Sequence, residues 1–194
     1  MNVLYLGNRT SSFRFESVIS EPVSEPVSED ELSWADFIVS YNYNHILSPE
    51  VCERFEGRAI NLHISLLPWN RGTYPNVWSA IDGTPSGVSI HLIDKGIDTG
   101  DILAQRPVSF SDTDTLRTSH AKLTQEIESL FDSLWNQIKR GRLERTKQGK
   151  NGSYHSDRHL KTVILRNGWD TLLNDLRRDN VTASGYGRLR EGVV

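Results

Sequence analysis

The 194-residue sequence contains one cysteine, Cys52. No disulfide can form within the chain, and no cysteine/histidine cluster of the metal-ligand kind is available to that thiol. A reducing, cytoplasmic compartment is the expectation, with no metal. Long apolar runs are missing too. None approaches the ~20 residues that a bilayer-spanning helix needs. The chain start, where Val3–Leu6 precedes Arg9 and Arg14, lacks the basic stretch, long apolar run and small-residue cleavage site of a secretory leader. Membrane insertion and secretion are therefore not expected. An excess of one charge is also lacking: 22 Lys and Arg against 25 Asp and Glu leave a net charge of −3. That gives no global pull toward nucleic acid. What is present is ordinary for a globular protein, at 37% hydrophobic and 24% charged, on a chain long enough to bury a sizeable core.

Along the chain, Val3–Leu6 closed by Gly7-Asn8 reads as a first buried strand. Residues 20–31, SEPVSEPVSEDE, repeat Ser-Glu-Pro-Val before an acidic cluster, and the two prolines suggest an extended surface segment or an edge strand. Residues 36–41, DFIVSY, form a second buried-strand candidate. Ser48-Pro49-Glu50 then supplies a cap, a first-turn proline and an early acid for a short helix closed by Gly57. Further strands are expected at Ala59–His63 and Gly87–Ile93, then as two strands at 102–105 and 107–110 after a tight Thr99-Gly100 turn. From Thr115 to about Arg140, Leu116, Leu123, Ile127, Leu130, Phe131, Leu134 and Ile138 recur at helical steps until Gly141. Residues 145–160 are polar and turn-rich, a last helix is expected around Thr171–Arg178, and the C-terminal Gly-Tyr-Gly is expected to be poorly ordered. Strands alternating with helices indicate an α/β layer architecture with a largely parallel sheet.

Two patches carry chemistry. In Asn61–Trp78, NLHISLLPWNRGTYPNVW, Asn61 and His63 are two apart and so point to one side of an extended strand, at its carboxyl end, where open α/β sheets hold ligands. An amide there can donate to an oxyanion and an imidazole can shuttle a proton near neutral pH. The pair alone is equally compatible with a structural role. The second patch, Asp94–Asp101, places three acids and two glycines in a sharply bending loop. It reads as a turn as readily as a site. A calcium loop of the EF-hand type fails for want of the last acidic ligand and of flanking helices.

Taken together, Asn61-X-His63-X-Ser65-Leu66-Leu67-Pro68, Arg71-Gly72, Pro75, Trp78, Asp98-Thr99-Gly100-Asp101-Ile102 and Gln105 resemble the formyltransferase family, strongly over residues 36–110 and loosely over most of the chain. Among the family's members the resemblance is strongest to the formylation domain of linear gramicidin synthetase, and it extends to sugar N-formyltransferases. The resemblance implies an α/β, Rossmann-like formyltransferase domain, a mostly parallel sheet flanked by helices and shortened at the N-terminus. It would be a single catalytic domain over 1–194, with a motif core at 36–110 and a helical extension at 115–194. It also implies 10-formyltetrahydrofolate as formyl donor, with Asn61, His63 and Asp98 catalytic. Asn44, His45, Ile46 and Leu47 would hold the pterin ring, Asp94, Lys95, Gly96 and Ile97 would form the opposite wall, and Ser65, Leu66, Leu67 and Pro68 would flank the folate channel. On this reading Asn61 and protonated His63 stabilise the developing oxyanion while Asp98 supports the imidazolium. Cys52 is left to packing.

No glycine-rich phosphate loop follows the first strand, which argues against a phosphoribosyl acceptor. The short, acidic chain argues against tRNA. The expected acceptor is the primary amine of a small biosynthetic intermediate, foremost a nucleotide-linked amino sugar. An aminoacyl group, free or carrier-bound, and water, as in formyltetrahydrofolate hydrolase, stay open as alternatives. So does a silent binding module. Arg9, Arg14, Trp69, Arg71, Tyr74, Tyr154, His155 and Arg158 are exposed candidates for acceptor recognition. A homodimer through the 115–140 helix is also open.

Overall fold

A computed structural model describes residues 1–7, 18–19 and 23–180. Arg9, Arg14 and the C-terminal Gly-Tyr-Gly lie outside the described residues. The chain forms two compact units. One comprises the described residues of Met1–His63, Ser89–Gln105 and Ile127–Gln148, and the other those of Ile64–Val88, Arg106–Glu126 and from Gly149 on. In chain order the first half contains β1 (Asn2–Leu6), β2 (Val18–Ile19), α1 (Glu29–Trp34), β3 (Phe37–Ser40), α2 (Pro49–Arg54), β4 (Ala59–His63), β5 (Arg71–Gly72), α3 (Pro75–Asp82) and β6 (Gly87–Leu92). Then come β7 (Ile102–Pro107), α4 (Leu116–Ile138), β8 (Tyr154–His155), α5 (Asp157–Leu160), a 3-10 turn (Gly168–Asp170) and α6 (Leu173–Asp179).

A six-stranded sheet runs β2-β1-β3-β4-β6-β7. Its β1/β2, β1/β3 and β3/β4 pairs are parallel. All four residues of β3, Phe-Ile-Val-Ser, are buried, as a parallel strand covered on both faces requires. β6 runs antiparallel to β4, setting Asn61 opposite His91 and His63 opposite Ser89. Beside this sheet α2 starts where expected: the Ser48 hydroxyl accepts from the Val51 amide, Pro49 occupies the first turn, and Val51 and Cys52 turn inward. They join Leu4, Leu6, Ile38, Phe55 and Ala59 in one apolar cluster.

Two local expectations are corrected. Residues 29–34, which overlap the end of the 20–31 segment read as extended, are helical. Ser28 and Glu31 form a reciprocal capping box, with the Ser28 amide on Glu31 Oε2 at 2.7 Å and the Glu31 amide on Ser28 Oγ at 3.3 Å. Leu32 can then be buried in the apolar cluster. The two strands expected at 102–105 and 107–110 are one strand, β7, which ends at Pro107. Proline has no amide to continue a ladder.

In the second unit α3 was not anticipated, although Pro75 at its first turn and Gly83, at φ +63° just past its end, are its start and stop signals. Val77, Trp78 and Ile81 of this helix pack with Leu116 and Leu176. Thr115 and Thr118 cap α4 reciprocally through side-chain hydroxyls. The buried carboxylate of Asp114, just before that cap, accepts from the Ser111 amide and Lys122 Nζ, each at 2.7 Å, and from the Thr118 hydroxyl at 2.7 Å. Lys122, then the Ser111 amide and the Thr118 hydroxyl, hold this carboxyl well below the usual carboxylate range. A depressed folded-state value contributes stability that is complete above the unfolded value and is lost as pH falls below about 4. Asp114→Asn should therefore cost about 2 kcal/mol at pH 7. Urea denaturation of both proteins at pH 7 and pH 3 checks this, the gap being smaller at the lower pH.

Candidate active site

The two-residue period of β4 turns Asn61 and His63 to the same side, and both reach Asp98. Asn61 Nδ2 donates to Asp98 Oδ1 at 3.1 Å, while His63 Nδ1 lies 3.7 Å from Asp98 Oδ2. The three residues that the motifs singled out thus converge on one carboxylate. The His63 and Asp98 side chains are 8% and 12% exposed, so charge that develops here is poorly screened by water.

Asp98 sits in the left-handed region at φ +52°, an arrangement that costs energy unless the surroundings impose it. The surroundings are identifiable. Gln148 Nε2 donates to the carbonyl oxygens of Asp98 and Gly100, both at 2.8 Å, spending one amide hydrogen on each. Earlier in the loop the Asp94 carboxylate accepts from the Gly96 amide at 3.0 Å and the Thr99 hydroxyl at 2.6 Å. Its acidity is therefore used within the turn. Residues 146–148 are held in place by Thr146, which exchanges both backbone hydrogen bonds with Ile102 at 2.8 and 2.9 Å.

His91 and Gln148 were not singled out from sequence. His91 Nε2 lies 3.3 Å from Asp98 Oδ1 and 3.3 Å from Asn61 Nδ2. Its other nitrogen, Nδ1, is 2.8 Å from the Leu92 carbonyl oxygen. The available signal was the polar alternation Ser89, His91 against Val88, Ile90, Leu92. Gln148 lay in a stretch with no periodicity at all.

The loops assigned to the folate belong to the first unit. Leu47 is buried, whereas Asn44, His45 and Ile46 are exposed, Ile46 by 77%. Asp94, Lys95, Gly96 and Ile97 are exposed as well. Cys52 Sγ ties the two loops, donating to the Asp94 carbonyl at 3.3 Å and lying 3.9 Å from that of Leu47. Burial pushes this thiol up, in keeping with packing rather than nucleophilic chemistry. Lys95 is paired with Glu53 on the surface.

In the second unit Ser65 and Leu67 are buried, and Ile64, Leu66 and Pro68 are half-buried. The Ser65 hydroxyl donates to the Trp69 carbonyl at 2.7 Å. Of the acceptor candidates, Tyr74 and Arg158 are exposed, and Trp69, Arg71 and Tyr154 half-buried. His155 is a correction. It is 1% exposed, stacked on Trp78 with ring centroids 4.1 Å apart, and bonded through Nε2 to Asp82 at 2.9 Å. Its role is packing. Among the described residues no group of side chains is arranged to hold a metal ion, and no helix is long and apolar enough to cross a membrane.

The formyltransferase PseJ from Anoxybacillus kamchatkensis, in a complex with UDP-4,6-dideoxy-4-formamido-L-AltNAc and tetrahydrofolate, is 41% identical to this chain, with 91% of this chain and 97% of that one covered at a TM-score of 0.85. A sugar N-formyltransferase from a Shewanella species, 21% identical over 91% of this chain and 86% of its own (TM-score 0.73), shares the fold. So does a 4-N formyltransferase from Francisella tularensis, at 22% identity over 91% and 85% (TM-score 0.72). The Formyl transferase family model matches residues 15–133, more than half of the sequence and all three residues gathered at the carboxylate, and the chain belongs to the formyl transferase family.

Proposed function

We propose that the chain moves a formyl group from 10-formyltetrahydrofolate to the primary amine of a nucleotide-linked amino sugar, with Asn61, His63 and Asp98 at the reacting centre. The observation that carries this reading is the convergence of Asn61 and His63 on Asp98. It is supported by 41% identity to PseJ, whose complex contains a UDP-linked 4-formamido sugar and tetrahydrofolate. Asn44–Leu47 and Asp94–Ile97 would hold the folate, which supplies the electrophilic formyl carbon when bound.

The chain's own residues then have separable tasks. Attack by a neutral amine puts negative charge on the formyl oxygen, and an Asn61 N–H and the His63 imidazolium are placed to stabilise it. The amine becomes acidic as it bonds, and the Asp98 carboxylate is placed to accept its proton and would return it to the folate nitrogen as the bond between that nitrogen and the formyl carbon breaks and tetrahydrofolate leaves. Asp98 also stabilises the positive charge on His63. No covalent bond to the protein is needed.

The test supplies 10-formyltetrahydrofolate with UDP- and dTDP-linked amino sugars and aminoacyl carriers, and follows tetrahydrofolate release and acceptor mass. A mass gain of one formyl group (28 Da) on an amino-sugar nucleotide is expected. Release without any acceptor identifies a hydrolase, and formylation confined to aminoacyl carriers overturns the acceptor assignment.

A further inference from the structure

We infer that Tyr43 is a positioning residue for the folate, fixing the loop at Asn44–Leu47 against a brace formed by the second Ser-Glu-Pro-Val repeat. This rests on the folate assignment proposed above and names what holds that wall in shape. The repeat, residues 24–27, is exposed at Ser24, Glu25 and Pro26 and half-buried at Val27. The Tyr43 hydroxyl meets it twice. It donates to the Glu25 carbonyl oxygen at 2.8 Å and accepts from the Val27 amide at 3.2 Å, so the phenol spends both its hydrogen and a lone pair on one stretch of main chain. Burial pushes this phenol up, which keeps the donated proton in place.

The brace is itself anchored at both ends. Upstream, the Val23 amide donates to the Tyr5 carbonyl at 3.0 Å and the Val23 carbonyl accepts from the Gly7 amide at 2.9 Å, which fastens the chain to the end of β1. Downstream, the Ser28–Glu31 capping box starts α1, and Arg54 of α2 donates to the Leu32 carbonyl at 3.0 Å. Pro26 stiffens the stretch between. Its ring fixes its own φ, it has no amide to compete for the phenol, and it keeps Glu25 out of the helical region. Val23, Val27 and Tyr43 pack on the apolar cluster that contains Leu47. The loop is thereby held at both its ends, by Tyr43 before Asn44 and by buried Leu47, while Asn44, His45 and Ile46 stay exposed. The Tyr43 ring also meets the His45 imidazole edge to face, with centroids 5.3 Å apart. A loop shaped before its ligand arrives loses less freedom on binding, so the contribution of Tyr43 belongs to affinity for the folate and not to the chemical step.

The experiment combines tetrahydrofolate binding by titration calorimetry with backbone amide order parameters, by NMR, of the ligand-free protein. Tyr43→Phe keeps the ring and removes only the hydroxyl. It should weaken tetrahydrofolate binding by about 5- to 20-fold and raise KM for 10-formyltetrahydrofolate alike, with kcat within about 2-fold. Pro26→Gly loosens the brace without touching the loop. It should weaken binding by about 3-fold in the native background and by less than about 1.5-fold on top of Tyr43→Phe, since the group it acts through is gone. Glu25→Ala is the control: only the Glu25 carbonyl is used, so binding should stay within about 1.5-fold. Tyr43→Phe binding within about 2-fold of wild type, equal losses for Pro26→Gly in both backgrounds, or a loss confined to kcat each overturn the inference. Order parameters at residues 44–46 should fall from the rigid range of about 0.85 to below about 0.7 in Tyr43→Phe, with those at 95–97 unchanged. Unchanged values at 44–46 overturn the brace whatever the chain binds. A wild-type protein that binds no tetrahydrofolate, with the loop loosened as expected in Tyr43→Phe, overturns the folate assignment while the brace stands.

Discussion

His63→Ala is expected to reduce formyl transfer by about 10³-fold, with the loss in kcat and little change in KM for the folate. The magnitude follows from what is removed. The imidazole side chain is 8% exposed and lies 3.7 Å from Asp98 Oδ2, so in the proposed reaction the charge of its protonated form acts on the developing oxyanion through poorly screened surroundings. Alanine leaves neither donor nor charge, and the space it vacates admits water that reorients at the moment of reaction. Folate recognition is assigned to Asn44–Leu47 and Asp94–Ile97, which His63 does not belong to, so binding of tetrahydrofolate by titration calorimetry should be nearly unchanged. The acceptor mass assay reads the loss. Turnover within 10-fold of wild type, in a protein whose circular dichroism is unaltered, would falsify the assignment of His63. In the proposed reaction His63 and Asp98 work as a pair, so adding Asp98→Asn to His63→Ala should cost far less than it does alone.

Much of this site was legible because its residues obey short-range rules. Asn61 and His63 share a face through strand periodicity, and α2 is announced by Ser48-Pro49-Glu50. Asp98 is different. Acids and glycines in a turn are ordinary, and only the longer Asp-Thr-Gly-Asp-Ile pattern beside the other motifs marked it. His91 was illegible for a physical reason: its importance lies in being opposite Asn61, and antiparallel register between β4 and β6 is a property of two segments thirty residues apart. Gln148 reaches Asp98 across fifty residues from a segment whose only regular feature is one pair of backbone bonds to Ile102. The α1 helix was hidden by its neighbours, since the prolines of the Ser-Glu-Pro-Val repeat stop at Pro26 and Ser28-X-X-Glu31 begins a helix immediately after. Tertiary burial of Leu32 decides the matter there, as it does for α3, where Val77, Trp78 and Ile81 need Leu116 and Leu176 to cover them.

Gly100→Ala should abolish most activity, by about 10²-fold or more, through the backbone alone. A Cβ on Gly100 would fall 1.9 Å from the Leu92 carbonyl oxygen and 2.8 Å from its carbon, where contacts under 3.0 Å force something to move. What stands in the way is main chain in β6, held by the bond from the Leu92 amide to the Asp101 carbonyl at 2.9 Å. It cannot swing aside as a side-chain tip would. The displacement therefore falls on the loop, or on the Leu92 carbonyl itself, and either choice reaches the reacting centre. If the loop moves, Gln148 loses its paired grip on the Asp98 and Gly100 carbonyls, and Asp98 is released from its left-handed conformation. A shift of about 1 Å there is enough for a 10²-fold loss. If the carbonyl moves, His91 Nδ1 loses its partner, and the ring whose Nε2 lies 3.3 Å from both Asn61 and Asp98 shifts with it. Overpacking of this kind also costs about 1–3 kcal/mol of stability, so a lowered unfolding midpoint accompanies the loss. The kinetic signature distinguishes the two responses. Movement of the loop carries Asp94–Ile97 with it and raises KM for the folate, whereas movement of the Leu92 carbonyl lowers kcat alone. Full activity in Gly100→Ala would mean that this loop tolerates a rearrangement the Asp98 geometry does not allow.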